Sequence, residues 1–296
     1  MAEAKFYLMT DSPCDFTQQM VDDANIGMFH FTYTEAGKED GGFHGVDDLF
    51  VSRTPHEFYE AIRHGAMPMT SQPAQMEFEK AFRERADADL PTVYLAFSSG
   101  ISGCYEGACT ALDRVKDELG RPDLPIYIVD CKIGSTSQYL FMVEAIRQRD
   151  KGLTATEMVE WAKEARYFVQ TIFMVDDLDA LHRGGRVPKS VAVVGVTRGR
   201  KKGLRKMASF YERTHNTDMF SSVVAIGNAD CPKDAERLAD MIHKTDETAV
   251  TMISTIGPTI GCHVGPGMVS CCFWGPDRRK GMSVSDRIAQ SVRGKN

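Results

Sequence analysis

Short apolar runs, rich in aromatic and β-branched residues, alternate with stretches of helical periodicity through the first half of this chain. Residues 5–10 (KFYLMT), 28–34 (MFHFTYT), 92–97 (TVYLAF) and 126–129 read as strands. Between 103 and 119, Cys104, Ala108, Ala111, Leu112, Val115 and Leu119 recur at spacings of three and four, which places them on one helix face. Thr54-Pro55-His56-Glu57 has the spacing of a capping box. Further helices are expected over 138–149 and 154–168. Strands joined by helices demand a parallel sheet covered on its faces, because a parallel pair needs a crossover connection.

The second half changes pattern. Residues 171–175, 222–226, 250–254 and 268–274 read as strands, with a helix from Pro232 through Ile242. A short helical stretch (178–182) and an apolar β-branched one (191–196) precede a basic run. Residues 257–267 read as a loop rich in Gly and Pro. With 296 residues, a chain of this length is expected to form two domains. The expected units are residues 1–169, a doubly wound parallel-sheet α/β domain, and 170–296, an α/β domain with a mixed or antiparallel sheet.

Composition excludes several classes. The chain is 43% hydrophobic and 26% charged, ordinary for a globular protein. Its net charge of −6 gives no global pull toward nucleic acid. The N-terminus lacks the pattern of a signal peptide, and no apolar run approaches the roughly 18 residues of a membrane helix. The eight cysteines contain no C-x-x-C pair, so reduced thiols and a cytoplasmic location are expected. Cys262 beside His263 lacks the companion spacing of a metal site, and no metal or cofactor is expected.

Three loops concentrate hydroxyls and glycines: Thr70-Ser71-Gln72-Pro73, the run from Ser98-Ser99-Gly100 to Ser102-Gly103, and 257–267 with His263. The first two are expected at helix starts, and the second follows a strand. Ligands gather at that end of the strands in open α/β sheets. Backbone N–H groups at helix starts favour an anion, and hydroxyls add neutral donors. The same residues also serve as plain helix caps and turns. Ser99 with His263 and Asp11 or Asp130 would make a hydrolase triad, but the G-x-S-x-G elbow is missing. No P-loop or dinucleotide fingerprint occurs. Arg186 follows two glycines and could pair with an anion or with Asp176. Residues 198–206 carry six basic residues and no acid, and read as a solvated helix face before a docking surface for an acidic partner.

Taken in order, these motifs resemble the DegV family of bacterial fatty-acid-binding proteins. The matching stretches are Thr10-Asp11-Ser12-Pro13-Cys14-Asp15, Thr70 to Pro73, Ser98 to Gly103, Val129-Asp130, Asp177-Leu178 through Gly184-Gly185-Arg186-Val187, and Gly257-Pro258 through Gly267. The resemblance implies two α/β domains with one long-chain fatty acid between them. It implies a carrier rather than an enzyme: the bound acid is presented to a separate ATP-dependent fatty acid kinase, giving acyl phosphate for phospholipid synthesis. Carried over by motif, Thr70, Ser71, Ser98, Ser99, His263 and Arg186 would surround the carboxylate, with the backbone of Gly100, Gly103 and Gly261 near the ligand. Burying about 15 methylenes gains of the order of 12 kcal/mol before association costs. Neutral donors would hold the carboxylate without a tight ion pair and leave it nucleophilic. A serine-dependent hydrolase of acyl esters is the alternative. The chain departs from the family pattern after Gly195, where a strand and hairpin are missing before Arg198.

Overall fold

The computed structural model describes residues 4–35, 37–38, 42–176, 199–215 and 221–281. Arg186, the stretches at 178–182 and 191–196 and the departure after Gly195 lie outside the described residues.

The first sheet holds four parallel strands in the order β2-β1-β6-β7: β1 (Tyr7–Asp11), β2 (Gly27–Phe29), β6 (Thr92–Ala96) and β7 (Ile126–Asp130). Every residue of β6 is buried. A strand covered on both faces reads as a continuous apolar run, which is why 92–97 was legible. Its side chains still alternate. Val93 and Leu95 face one core with Leu8, while Tyr94 and Ala96 face another with Met9. Helices α3 (Gln75–Ala86) and α4 (Cys104–Leu119) cover the second face through Phe78, Phe82, Ala108 and Leu112. Helices α5 (Thr136–Asp150) and α6 (Ala155–Ala165) cover the first through Leu140, Phe141, Met158 and Ala162. The sheet is doubly wound, as expected.

The predicted strand 28–34 is two strands in two sheets. Gly27–Phe29 stays with β1, while β3 (Thr32–Thr34) joins β4 (Gly45–Val46) and β5 (Met69–Ser71) in a small antiparallel sheet. The break occurs at Phe31, whose N–H donates to Ser12 Oγ at 3.1 Å and whose carbonyl accepts from Asp47 N at 2.8 Å. Helix α1 (Gln18–Ala24) is capped by Thr17, and α2 (Pro55–Arg63) by the predicted Thr54–Glu57 box.

The chain passes into the second sheet at Val169. Its order is β10-β9-β11-β8, built from β8 (Val169–Met174), β9 (Val223–Asn228), β10 (Val250–Thr255) and β11 (Val269–Trp274). The β9–β10 pair is parallel and β11 is antiparallel to both β8 and β9, so the sheet is mixed. Helices α7 (Arg200–Thr214) and α8 (Pro232–His243) pack on one face through Leu204, Met207, Leu238 and Ile242. On the other face lies α5, which is buried at every position from Thr136 to Met142. A helix buried all round belongs between layers. Accordingly, Ala225, Cys272 and Trp274 of the second sheet share a core with Leu140 and Phe141.

The stretch at 257–267 is not wholly loop. Residues Pro258–Val264 form α9, with Gly257 as N-cap and Gly265 closing it at a φ of +70°. The basic run folds into α7. Its Leu204, Met207 and Tyr211 are buried and its Lys201, Lys202 and Lys206 exposed, the solvated face expected. Arg200 instead pairs with Asp234 and Asp176.

Candidate functional site

A cavity of about 720 Å³ opens where the three sheets meet. Its apolar wall includes Phe31, Phe97, Ile101, Ile260, Val264 and Met268. Helix α9 runs along it, turning Thr259, Ile260, His263 and Val264 inward.

At one end of α9 the cavity meets the predicted hydroxyls. Thr70, Ser71, Ser98 and His263 line it together. His263 Nε2 lies 2.8 Å from Thr70 Oγ1, so the imidazole and hydroxyl are hydrogen-bonded. Thr70 and Ser71 are not at a helix start. They sit on β5, paired with Tyr33 and Thr32, and α3 begins only at Gln75. Ser98 follows β6, and its Oγ accepts from Gly100 N at 3.2 Å. Gly100 and Gly103 line the cavity as expected. Ser71, Gln72, Gly100 and Gly103 are exposed, so this end reaches solvent.

Two predicted contacts lie elsewhere. Ser99 is not in the cavity wall: its Oγ donates to Asp130 Oδ2 at 2.6 Å and its N–H to Oδ1 at 3.2 Å. Being next to Ser98, it points the other way. Gly261 also lies off the wall. A Cβ there would stand 2.7 Å from the Phe58 ring and 2.8 Å from Tyr59 Oη, so its lack of a side chain serves the packing of α9 on α2. The triad alternative fails on the same geometry. Ser99 is bound to Asp130, His263 meets Thr70, and Asp11 accepts from Tyr94 Oη, Phe97 N and Gln138 Nε2.

The other end of α9 is buried and acidic. Asp15 accepts from Gly257 N at 2.9 Å, and Asp47 accepts from Thr259 N at 3.0 Å and from Thr259 Oγ1. Two carboxylates thus cap one short helix, where its dipole favours negative charge. Burial pushes the Asp15 carboxyl up to about 7, against the lowering by hydrogen bonds from Gly257 and Ser135. Burial also raises Asp47, opposed by the Thr259 bonds, and lifts Asp11 to about 6. Sequence reading placed Asp15 in a motif but gave neither it nor Asp47 a role, because both cap a helix more than two hundred residues away.

Sequence reading also missed Lys132 and Arg278, which line the cavity, while Gln72 and Ser102, which it named in motifs without a role, line it too. Cys262 does not join His263 in a metal site. It packs into the apolar cluster of Tyr33 and Phe58, and burial pushes its thiol up. Among the described residues, the cluster with metal-ligand spacing is His56, Glu60 and Asp230, and Arg63 already bridges both carboxylates.

Among the described residues, no helix is long and apolar enough to cross a membrane. The chain matches the family described as "uncharacterised protein, DegV family" over residues 5–197 and 190–275. The two matched stretches meet where the sequence departs from the family pattern. A DegV domain-containing protein of Clostridium perfringens is 30% identical over 292 residues, covering 92% of this chain and 98% of that protein. A DegV lipid-binding protein from Thermotoga maritima superposes with a TM-score of 0.73 at 26% identity, covering 93% and 99% of the two chains. A second Thermotoga maritima protein, described as revealing a fatty-acid-binding function, gives 0.74 at 26% identity, covering 92% and 100%. The chain belongs to the DegV family.

Proposed function

We propose that this protein binds a long-chain fatty acid in the cavity along α9, with the carboxylate at Thr70, Ser71, Ser98 and His263. The observation that carries the reading is the cavity itself: about 720 Å³, within the usual range of small-molecule sites, with an apolar wall and a cluster of hydroxyls at its solvent end. Ser99 acts behind this cluster, fixing the loop through Asp130. The two Thermotoga maritima relatives, described as lipid-binding and fatty-acid-binding, support the same ligand class.

A carboxylate needs donors when its chain is buried. Hydroxyls, backbone N–H groups and an imidazole provide them. The exposure of Ser71, Gln72 and Gly100 leaves the headgroup within reach of another protein. In the proposed role a separate ATP-dependent fatty acid kinase transfers phosphate to the presented carboxylate, and the acyl phosphate feeds phospholipid synthesis. The protein then acts as a carrier in the cytoplasm, without a metal or cofactor of its own.

Mass spectrometry of solvent extracts from the purified protein tests the ligand class, with a C16–C18 acid near one per chain expected. Extracts without fatty acid, from protein that also fails to take one up, would reject it. Adding the protein to a fatty acid kinase with ATP should yield acyl phosphate only when the acid is loaded. Hydrolysis of an acyl ester by the protein alone would favour the hydrolase instead.

A further inference from the structure

Among the described residues, four helices start from a serine or threonine, and one of the four breaks the pattern. Thr17, Thr54 and Thr154 have φ between −70° and −90°, and each accepts a backbone N–H of its own helix through its hydroxyl. Ser135, the N-cap of α5, does neither. Its φ is +55° and its ψ −138°, a conformation costly for any residue but glycine. Its hydroxyl, which would ordinarily cap the helix, donates to Asp15 Oδ2 at 2.7 Å instead. This strained residue belongs to the cavity wall. Lys132, Ile133, Gly134 and Ser135 all line the cavity, and Lys132 is also left-handed, at a φ of +56°. The wall is tied to the headgroup end, since Ser98 N donates to the Ile133 carbonyl at 3.1 Å. It is also packed on Phe97, whose ring leaves no room for a Cβ at Gly134. The other oxygen of Asp15 holds Gly257 at the start of α9. Asp15 thus joins two walls of one cavity, the 132–135 loop and α9.

Resting on the fatty-acid reading above, we propose that Ser135 is a latch: it passes between Asp15 and the start of α5, and its release widens the cavity for the acyl chain to enter and leave. Each state is built from ordinary parts. In the latched state the bond to Asp15 offsets a strained backbone. In the released state Ser135 takes the extended conformation of the other three caps, and its hydroxyl accepts from the N–H of Ser137 or Gln138. The bond lost at Asp15 is regained at the helix, and the strain is gone. The two states therefore lie close in free energy, as a gate on a binding cavity requires. Asp15 keeps its bond to Gly257 in both, so α9 and the headgroup end stay in place while the wall moves.

The test follows a fluorescent fatty acid entering and leaving the delipidated full-length protein by stopped flow, in two variants that both lack the hydroxyl. In Ser135→Ala the strain remains and nothing opposes it. In Ser135→Gly the strain is removed as well. Association and release should both be about tenfold faster in Ser135→Ala, with the dissociation constant changed less than about twofold. In Ser135→Gly both rates should stay within about twofold of those of the unaltered protein. In the unaltered protein, with the probe in excess, the association rate should level off at the rate of opening. Equal rates in the two variants, a change in one rate alone, or an association rate that rises linearly throughout overturns the latch and leaves the fatty-acid reading intact. Failure of the unaltered protein to bind the probe overturns both.

Discussion

The two ends of α9 use the same short helix in opposite ways. At its N-terminus Asp15 and Asp47 are buried against backbone N–H groups, and burial raises both carboxyls. At its C-terminus His263 faces a cavity and is hydrogen-bonded to Thr70. The acids tie three parts together: the loop after β1, the segment after β4 and the start of α9. The hydroxyls are drawn from β5 and the loop after β6, and an imidazole from the end of α9. One end assembles the site, and the other presents neutral donors to whatever fills it.

If that division holds, substitutions at the two ends should separate stability from binding. Asp47→Ala should have the largest effect. It orphans the Thr259 N–H and hydroxyl in a buried setting, and a loss of about 2–4 kcal/mol in chemical denaturation is expected. Asp15→Asn should change the pH dependence. With a folded value near 7, Asp15 stays protonated on folding while the unfolded carboxyl ionises near 4, so its contribution falls as pH rises between those values. The native protein should therefore lose about 2–3 kcal/mol more than Asp15→Asn between pH 5 and pH 8. A parallel pH profile for the two proteins would contradict the buried-acid account.

At the other end the effects move to affinity. Thr70→Val and His263→Ala should each weaken fatty-acid binding about tenfold, with stability changed by less than about 1 kcal/mol. The smallest effect is expected at Ser99. Ser98→Ala should weaken retention of the acid several-fold more than Ser99→Ala, because Ser99 spends its hydroxyl on Asp130. The reverse order, in a displacement assay on delipidated protein, would return Ser99 to the headgroup.

How much of this was legible depended on distance along the chain. Strand β6 and helix α4 were readable because continuous burial and one-sided burial each leave a local pattern. The Thr54 cap was readable because its partner, Glu57, is three residues away. The split of 28–34 was not, because its cause is Ser12 on one side and Asp47 on the other. Nor was α9. Its glycines and prolines resemble a loop, and the acids that cap it come from near the N-terminus. Thr70, Ser71, Ser98 and His263 were found as motifs and do converge on one cavity. Ser98 and Ser99 could not be told apart, since adjacent serines leave a tight loop in opposite directions.

The central claim is that the cavity along α9 holds one acyl chain by its carboxylate. Titration of the delipidated protein with hexadecanoic acid, followed by calorimetry, tests it most directly. The account predicts saturation at one acid per chain, with tenfold weaker binding in His263→Ala and no measurable binding of hexadecane-1-ol at the same concentrations. Absence of saturable binding, or equal affinity for the acid and the alcohol, would contradict it.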